Sequence, residues 1–385
     1  MHKGGMMAAA MVLAPLMSVS PAARAELAVA ANDGKQLLAG ETAHLVPDSI
    51  AVLDLAAKPV RVLGRVNAPA SMIGSPNAVV VAKDQSFAIV TAAQKYNPAD
   101  PLNPVSDDKV SVIDLADPAH PKLLQTVKAG PNAAGISLNR AGTLALVAAR
   151  DEGAIYAFTV KGKTLTPAGK GMLDKDSAPA DVVFAPDGRH AYAVTWNAGK
   201  LFELAVDGSR LTRTDRELAT GRSAYGAVVT PDGRWLINTN VGGTGADRTG
   251  SVTVTDLRTM KLASVTRAGR TPEHVLLSPD GRHVAVVLAN GAATSKTDPA
   301  WNKVIGLFKV YALENGRLRE VARADTCHWA QGAAWNASGT LLLQQCAAER
   351  ELIGFRFDGK TLVRDKAITL PFAARPGAVA AAHSR

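Results

Sequence analysis

The chain has only two cysteines in 385 residues, no basic run, and no segment of membrane-spanning length beyond its first residues. The familiar catalytic signatures are also missing. Without G-x-S-x-G there is no nucleophile elbow, and without H-E-x-x-H no zincin helix. There is no P-loop for a nucleotide and no C-x-x-C for dithiol redox chemistry. The glycine cluster VGGTGADRTG (241–250) lies between two strand patterns, so it reads as a hairpin loop rather than a phosphate cradle. The acidic run LDKDSAPAD (173–181) is spaced too irregularly for a calcium loop. No metal and no cofactor is expected. The formal charge of +9 is carried by Lys and Arg spread singly, many in DGR or GK turns. With no aromatic-interleaved basic stripe, nucleic acid is not an expected partner.

What is present begins with a processing signal. Residues 1–25 carry Lys3, an apolar stretch from Met6 to Met17, and Ala23-Arg24-Ala25, a cleavage site of the A-x-A type. This pattern predicts a secretory signal cut after Ala25, since the apolar run is too short to span a membrane. The remainder, 26–385, is expected to be one exported domain, periplasmic or secreted, with no membrane span, and a monomer. At 47% apolar residues it has the composition of a packed globular chain.

That domain repeats itself. VVFAPDGRHAYAV, AVVTPDGRWLINT and VLLSPDGRHVAVV place Pro-Asp-Gly at 186–188, 231–233 and 279–281. Degenerate copies stand at Lys83-Asp84-Gln85, Arg140-Ala141-Gly142 and Ala337-Ser338-Gly339. Pro, Asp and Gly suit successive positions of a tight turn, and the alternating apolar runs on either side read as strands. Each unit continues with a V-x-D-L strand (52–55, 112–115, 254–257) or with a hairpin around Gly, as in FTVKGKTL, LAVDGSRL, YALENGRL and FRFDGKTL. Either way the unit has four antiparallel strands. A four-stranded unit repeated every 40-odd residues is a propeller blade. Six blades carry the turn. The seventh is split: ELAVAANDG, SIAVLDL and KPVRVLGRV at the start lack a first strand, and RPGAVAAAHSR at the end supplies one. The expected fold is all-β, a seven-bladed β-propeller closed by pairing of its N- and C-terminal strands. Insertions at Gln94–Lys109 and Asn290–Lys303 follow second strands, and so fall on the face where the links enter each first strand.

The pattern P-x-G/H-V-x-x-S-P-D-G-R, followed by apolar alternation and Asn, resembles the YVTN-repeat and lactonase-like seven-bladed propellers. The V-x-D-L strands are similar to YVTN repeats, and the F/Y-x-x-x-G-x-L hairpins to the lactonase-like branch. The resemblance implies the fold across nearly the whole domain. It leaves function open among lactonases, a lactone-forming muconate cycloisomerase, amine-dehydrogenase large subunits and many exported proteins without known activity, because fold alone does not choose among them.

The natural site of a propeller is the mouth of its central channel. Alignment on the turn places Ala78, Gly135, Asp181, Gly226, His274, Gly332 and Ala378 nearest that mouth. Five are Gly or Ala, as crowded backbones require. One position earlier come Asn77, Tyr225, Glu273 and Gln331. The expectation is a polar ring in which His274, oriented by Glu273 and facing Asp181, acts as general base, with Asn77, Tyr225 and Gln331 binding. The competing expectation is a wet channel that binds only solvent. Trp301, in the insertion, and Trp329 fall on the same face and are candidate contacts for a ligand or partner; loop packing is the alternative. Cys327 enters the last anchored blade and Cys346 ends its second strand, so both reach one face. In an exported chain the pair is expected to form a disulfide. The leading functional reading is a ligand- or protein-binding scaffold acting through the loop-bearing face. One alternative is a lactonase-like hydrolase or isomerase at the channel mouth, and a further one a partner subunit of a periplasmic dehydrogenase. The sequence alone leaves open whether the chain is an enzyme.

Overall fold

The computed structural model describes residues 1–2, 25–41, 45–243 and 249–383. Its strands, β1 (Leu27–Asp33) to β28 (Arg375–Ala381) in chain order, form seven four-stranded antiparallel sheets. Six blades run consecutively, with first strands β4 (Val79–Val81), β8 (Ala133–Leu138), β12 (Pro179–Phe184), β16 (Ala224–Val229), β20 (Pro272–Leu277) and β24 (Ala330–Trp335). The seventh has the order β28-β1-β2-β3, with Ala28 opposite Ala381 and Asp33 opposite Arg375. The ring therefore closes through the two terminal strands, as the split seventh unit implied. Closure completes the ring, and each blade keeps only a short inner edge, protected at the axis. Residues 3–24, which hold nearly all of the expected signal sequence, lie outside the described residues.

The repeated turn explains the repeated phrase. Gly142, Gly188, Gly233, Gly281 and Gly339 all have φ between 66° and 71°, and Gln85 takes the same place at 61°. Only glycine adopts this left-handed region without strain, which is why it dominates the position. The Asp of each PDG turn accepts from the backbone two residues on: Asp187 from Arg189 N–H at 2.8 Å, Asp232 from Arg234 and Asp280 from Arg282 at 3.0 Å. The core lies between blades rather than on one axis. Phe308 and Phe355, for example, meet edge to face at 5.9 Å across neighbouring blades, beside the fully buried Trp335.

On the opposite face five of the seven first strands start from a second repeated feature. Asn132, Ala178, Ser223, Thr271 and Trp329 all have φ between 49° and 58°. The carbonyl of each accepts from the residue just past the second strand: Arg150, Trp196, Val241, Ala289 and Ala347. A register shift follows in every one of these first strands. Such a bulge re-aims side chains, here at the channel mouth.

One expectation about the loops changes. Gln94 and Lys95 extend β5 (Phe87–Lys95) and Val105 opens β6 (Val105–Asp114), so the first insertion is a loop only over 96–104. The segment 68–77 reaches the mouth, where Tyr225 donates its hydroxyl hydrogen bond to the Gly74 carbonyl. This segment is anchored from below. Asp33 accepts from Met72 N–H at 2.7 Å and Asp48 from Ala70 N–H at 3.1 Å. The buried Lys35 ammonium bridges both carboxylates, at 3.3 and 3.0 Å, and donates to the Ala70 carbonyl. Burial raises the Asp48 pKa, partly offset by Lys35.

Candidate active site at the channel mouth

The mouth is built in two layers. In the lower layer Asn77 donates to Asp181 Oδ2 at 2.6 Å and accepts from His274 Nε2 at 2.8 Å. Asp181 also accepts from Val182 and Ala227 N–H, at 2.9 and 3.0 Å. His274 Nδ1 accepts from Ala333 N–H at 3.0 Å, so its proton sits on Nε2. Five blades, those of β4, β12, β16, β20 and β24, are thereby tied across the axis. Gly135 is required here, because a Cβ would overlap the Asp181 carboxylate. Asp181 and His274 are 0% and 1% exposed, so this layer is a side-chain plug rather than a wet channel. The groups that orient His274 are Asn77 and the Ala333 amide, where the sequence suggested Glu273.

The upper layer is a cavity of about 170 Å³ lined by Met72, Ile73, Trp196, Tyr225, Val241, Glu273, Trp329 and Gln331. Tyr225, Glu273 and Gln331 come from the register one residue before the mouth, as aligned from sequence, and Trp329 from the left-handed position. Trp196 meets Tyr225 edge to face at 5.3 Å, and Arg150 lies over the far-reaching Trp196 ring at 5.5 Å without lining the cavity. Gln331 Nε2 donates to Glu273 Oε2 at 2.7 Å. Burial pushes the Glu273 pKa up to about 8, and the Gln331 hydrogen bond only partly opposes it. This carboxyl titrates near neutrality beside a ligand-sized space. It is the one acid lining the cavity among the described residues. Sequence reasoning missed Trp196, Val241, Met72 and Ile73.

Trp301 does not line the cavity. Its indole stacks on the His328 ring at 3.5 Å and 9°, and His328 also contacts the Trp301 carbonyl at 2.7 Å and Glu349 Oε1 at 2.5 Å. The insertion is fastened to the last anchored blade by this contact, the packing alternative for Trp301. Cys327 and Cys346 form a disulfide with a Cα–Cα distance of 5.6 Å in that blade. Glu349 lies close to both sulfurs, but with the thiols joined they offer no thiolate for a metal.

Residues 135–295 match the family of lactonase seven-bladed β-propellers. With seven four-stranded blades the chain is a seven-bladed β-propeller, similar over residues 135–295 to the lactonase family. No curated protein sequence matches it. Solved structures similar in fold include the periplasmic gluconolactonase of Pseudomonas aeruginosa, 16% identical, with a TM-score of 0.66 over 91% of this chain and 98% of that one. A provisionally assigned 6-phosphogluconolactonase of Bacteroides uniformis is 16% identical, with a TM-score of 0.70 over 92% of this chain and 99% of that one. A protein of unknown function from Desulfotomaculum acetoxidans is 14% identical, with a TM-score of 0.68 over 94% and 100%.

Proposed function

We propose that the protein is an exported lactone hydrolase whose site is the cavity at the channel mouth, with Glu273 as general base. The observation that carries this reading is a carboxyl with a pKa near 8 in a cavity walled by three aromatic rings. The lactonase family match supports the reaction class. The disulfide and the fold likeness to a periplasmic gluconolactonase support export. Ionised Glu273 takes a proton from water as that water attacks the lactone carbonyl. The carbonyl carbon–ring oxygen bond then breaks, and Glu273 returns the proton to the departing oxygen, leaving a hydroxy acid. His274 and Asp181 act in this scheme by holding the floor of the cavity rather than by touching substrate.

Purified protein is tested against sugar and acyl lactones with Glu273→Gln beside it. Turnover by the native chain that disappears in the variant upholds the assignment, and turnover unchanged in the variant overturns it. A partner held on the loop-bearing face is the second reading, favoured by Leu102 and Val105, which stand 51% and 42% exposed around the first insertion.

A further inference from the structure

The cavity's lining contains one ionisable acid, one amide, three aromatic rings and three apolar side chains, and no cation. Gln331 is 5% exposed. Its Nε2 is committed to Glu273, while its Oε1 has no hydrogen-bond partner. A buried acceptor without a donor carries a desolvation cost that a ligand hydroxyl would relieve. Trp196, Trp329 and Tyr225 offer flat apolar faces to the C–H surface of a ring. The volume, about 170 Å³, is that of roughly five or six waters and admits one six-membered ring, not two. An anionic substituent would enter beside Glu273 with no cation among the lining side chains to pair with it, Arg150 standing over the Trp196 ring outside that lining.

From this we infer that the site selects an uncharged, hydroxylated, single-ring lactone over its phosphorylated counterpart, and that Gln331 is the residue that reads the hydroxyl. The inference rests on the lactone reading of the same cavity, and it adds what that reading leaves open: the charge of the substrate and the group that recognises it.

The test is equilibrium binding, followed by quenching of tryptophan fluorescence in the full chain, so that it does not depend on turnover. The probes are D-glucono-1,5-lactam, its 6-phosphate, and δ-valerolactam, which lacks hydroxyls. Gluconolactam is expected to bind at least about a hundredfold more tightly than its phosphate, the scale of an uncompensated buried charge. Gln331→Met is expected to weaken gluconolactam about tenfold, one hydrogen bond's worth, and to leave δ-valerolactam unchanged. Equal or tighter binding of the phosphate overturns the inference. So does equal weakening of both neutral lactams, or no binding by any of the three. The comparison of gluconolactam with its phosphate uses the native chain and stands whether or not the variant folds. Tight binding of gluconolactam by a chain that hydrolyses no lactone would sink the hydrolase reading and leave this selectivity in place.

Discussion

Replacing Glu273 by Gln separates what this residue costs the fold from what it does. In the unfolded chain the carboxyl ionises at its ordinary value of 4.5, while in the folded protein burial holds the proton up to about pH 8. Between those values the unfolded state has lost a proton that the folded state keeps. Stability therefore falls as pH rises from 4.5 to 8 and is flat on either side. The full shift of about 3.5 units corresponds to an upper bound of roughly 5 kcal/mol, and side-chain relaxation and water entry bring the expected loss to about 2–3 kcal/mol. Glutamine has the same shape, keeps a carbonyl to accept from Gln331, and does not titrate. Urea denaturation of both proteins at half-unit steps from pH 4 to 9 measures the difference. The variant should gain on the native chain across the window and keep a constant lead above pH 8. Curves that stay parallel from pH 4 to 9 would show that Glu273 titrates as an ordinary exposed carboxyl, and the argument for its role would fall with them.

Three other outcomes are expected. Asp181→Ala leaves the Asn77 amide and the Val182 and Ala227 N–H groups without their acceptor; a loss of about 3–5 kcal/mol in urea denaturation is expected, and a loss below about 1 kcal/mol would contradict the plug. Reducing the Cys327–Cys346 disulfide, which closes a sequence separation of 19 residues, should cost about 3 kcal/mol, read as a lower urea midpoint in dithiothreitol, against an unchanged midpoint if the bond does not staple the folded state. Tyr225→Phe removes the hydroxyl's bond to Gly74; amide hydrogen exchange in 68–77 should speed up by about tenfold, and unchanged protection there would mean that Asp33, Lys35 and Asp48 hold the segment without it.

The fold was legible because its signals are local and repeated. A left-handed turn position calls for glycine in blade after blade, and the terminal half-units ELAVAANDG and RPGAVAAAHSR had no partner but each other. Aligning the turns also found the mouth, since one shared register holds Asp181 and His274 and the register one step before it holds Tyr225, Glu273 and Gln331; Asn77, aligned with that second set, instead joins Asp181 and His274 in the lower layer. What the alignment lacked was depth. Nothing in the sequence says that Asn77 reaches across to both Asp181 and His274 and seals the axis, or that the reachable carboxyl is Glu273. A second alignment, on the residue just past each second strand, would have brought out Trp196 and Val241 beside Arg150. Met72 and Ile73 had no such signal. They sit in an irregular segment whose course is set by buried charges of the Asp33–Asp48 stretch, and no periodicity records that kind of contact. Trp301 shows the reverse error, where a tryptophan in a polar insertion suggested a ligand and its ring is spent on His328.

The central claim is that Glu273, at the cavity, takes the proton in lactone opening. The most direct measurement is kcat/KM for a neutral δ-lactone from pH 6 to 9.5, corrected for spontaneous hydrolysis, in the native chain and in Glu273→Gln. The account predicts a rate that climbs with pH, bends near pH 8 as the carboxyl becomes fully ionised, and collapses by about a hundredfold or more in the variant. A native profile with no bend in that range, or a variant that retains it, would contradict the account.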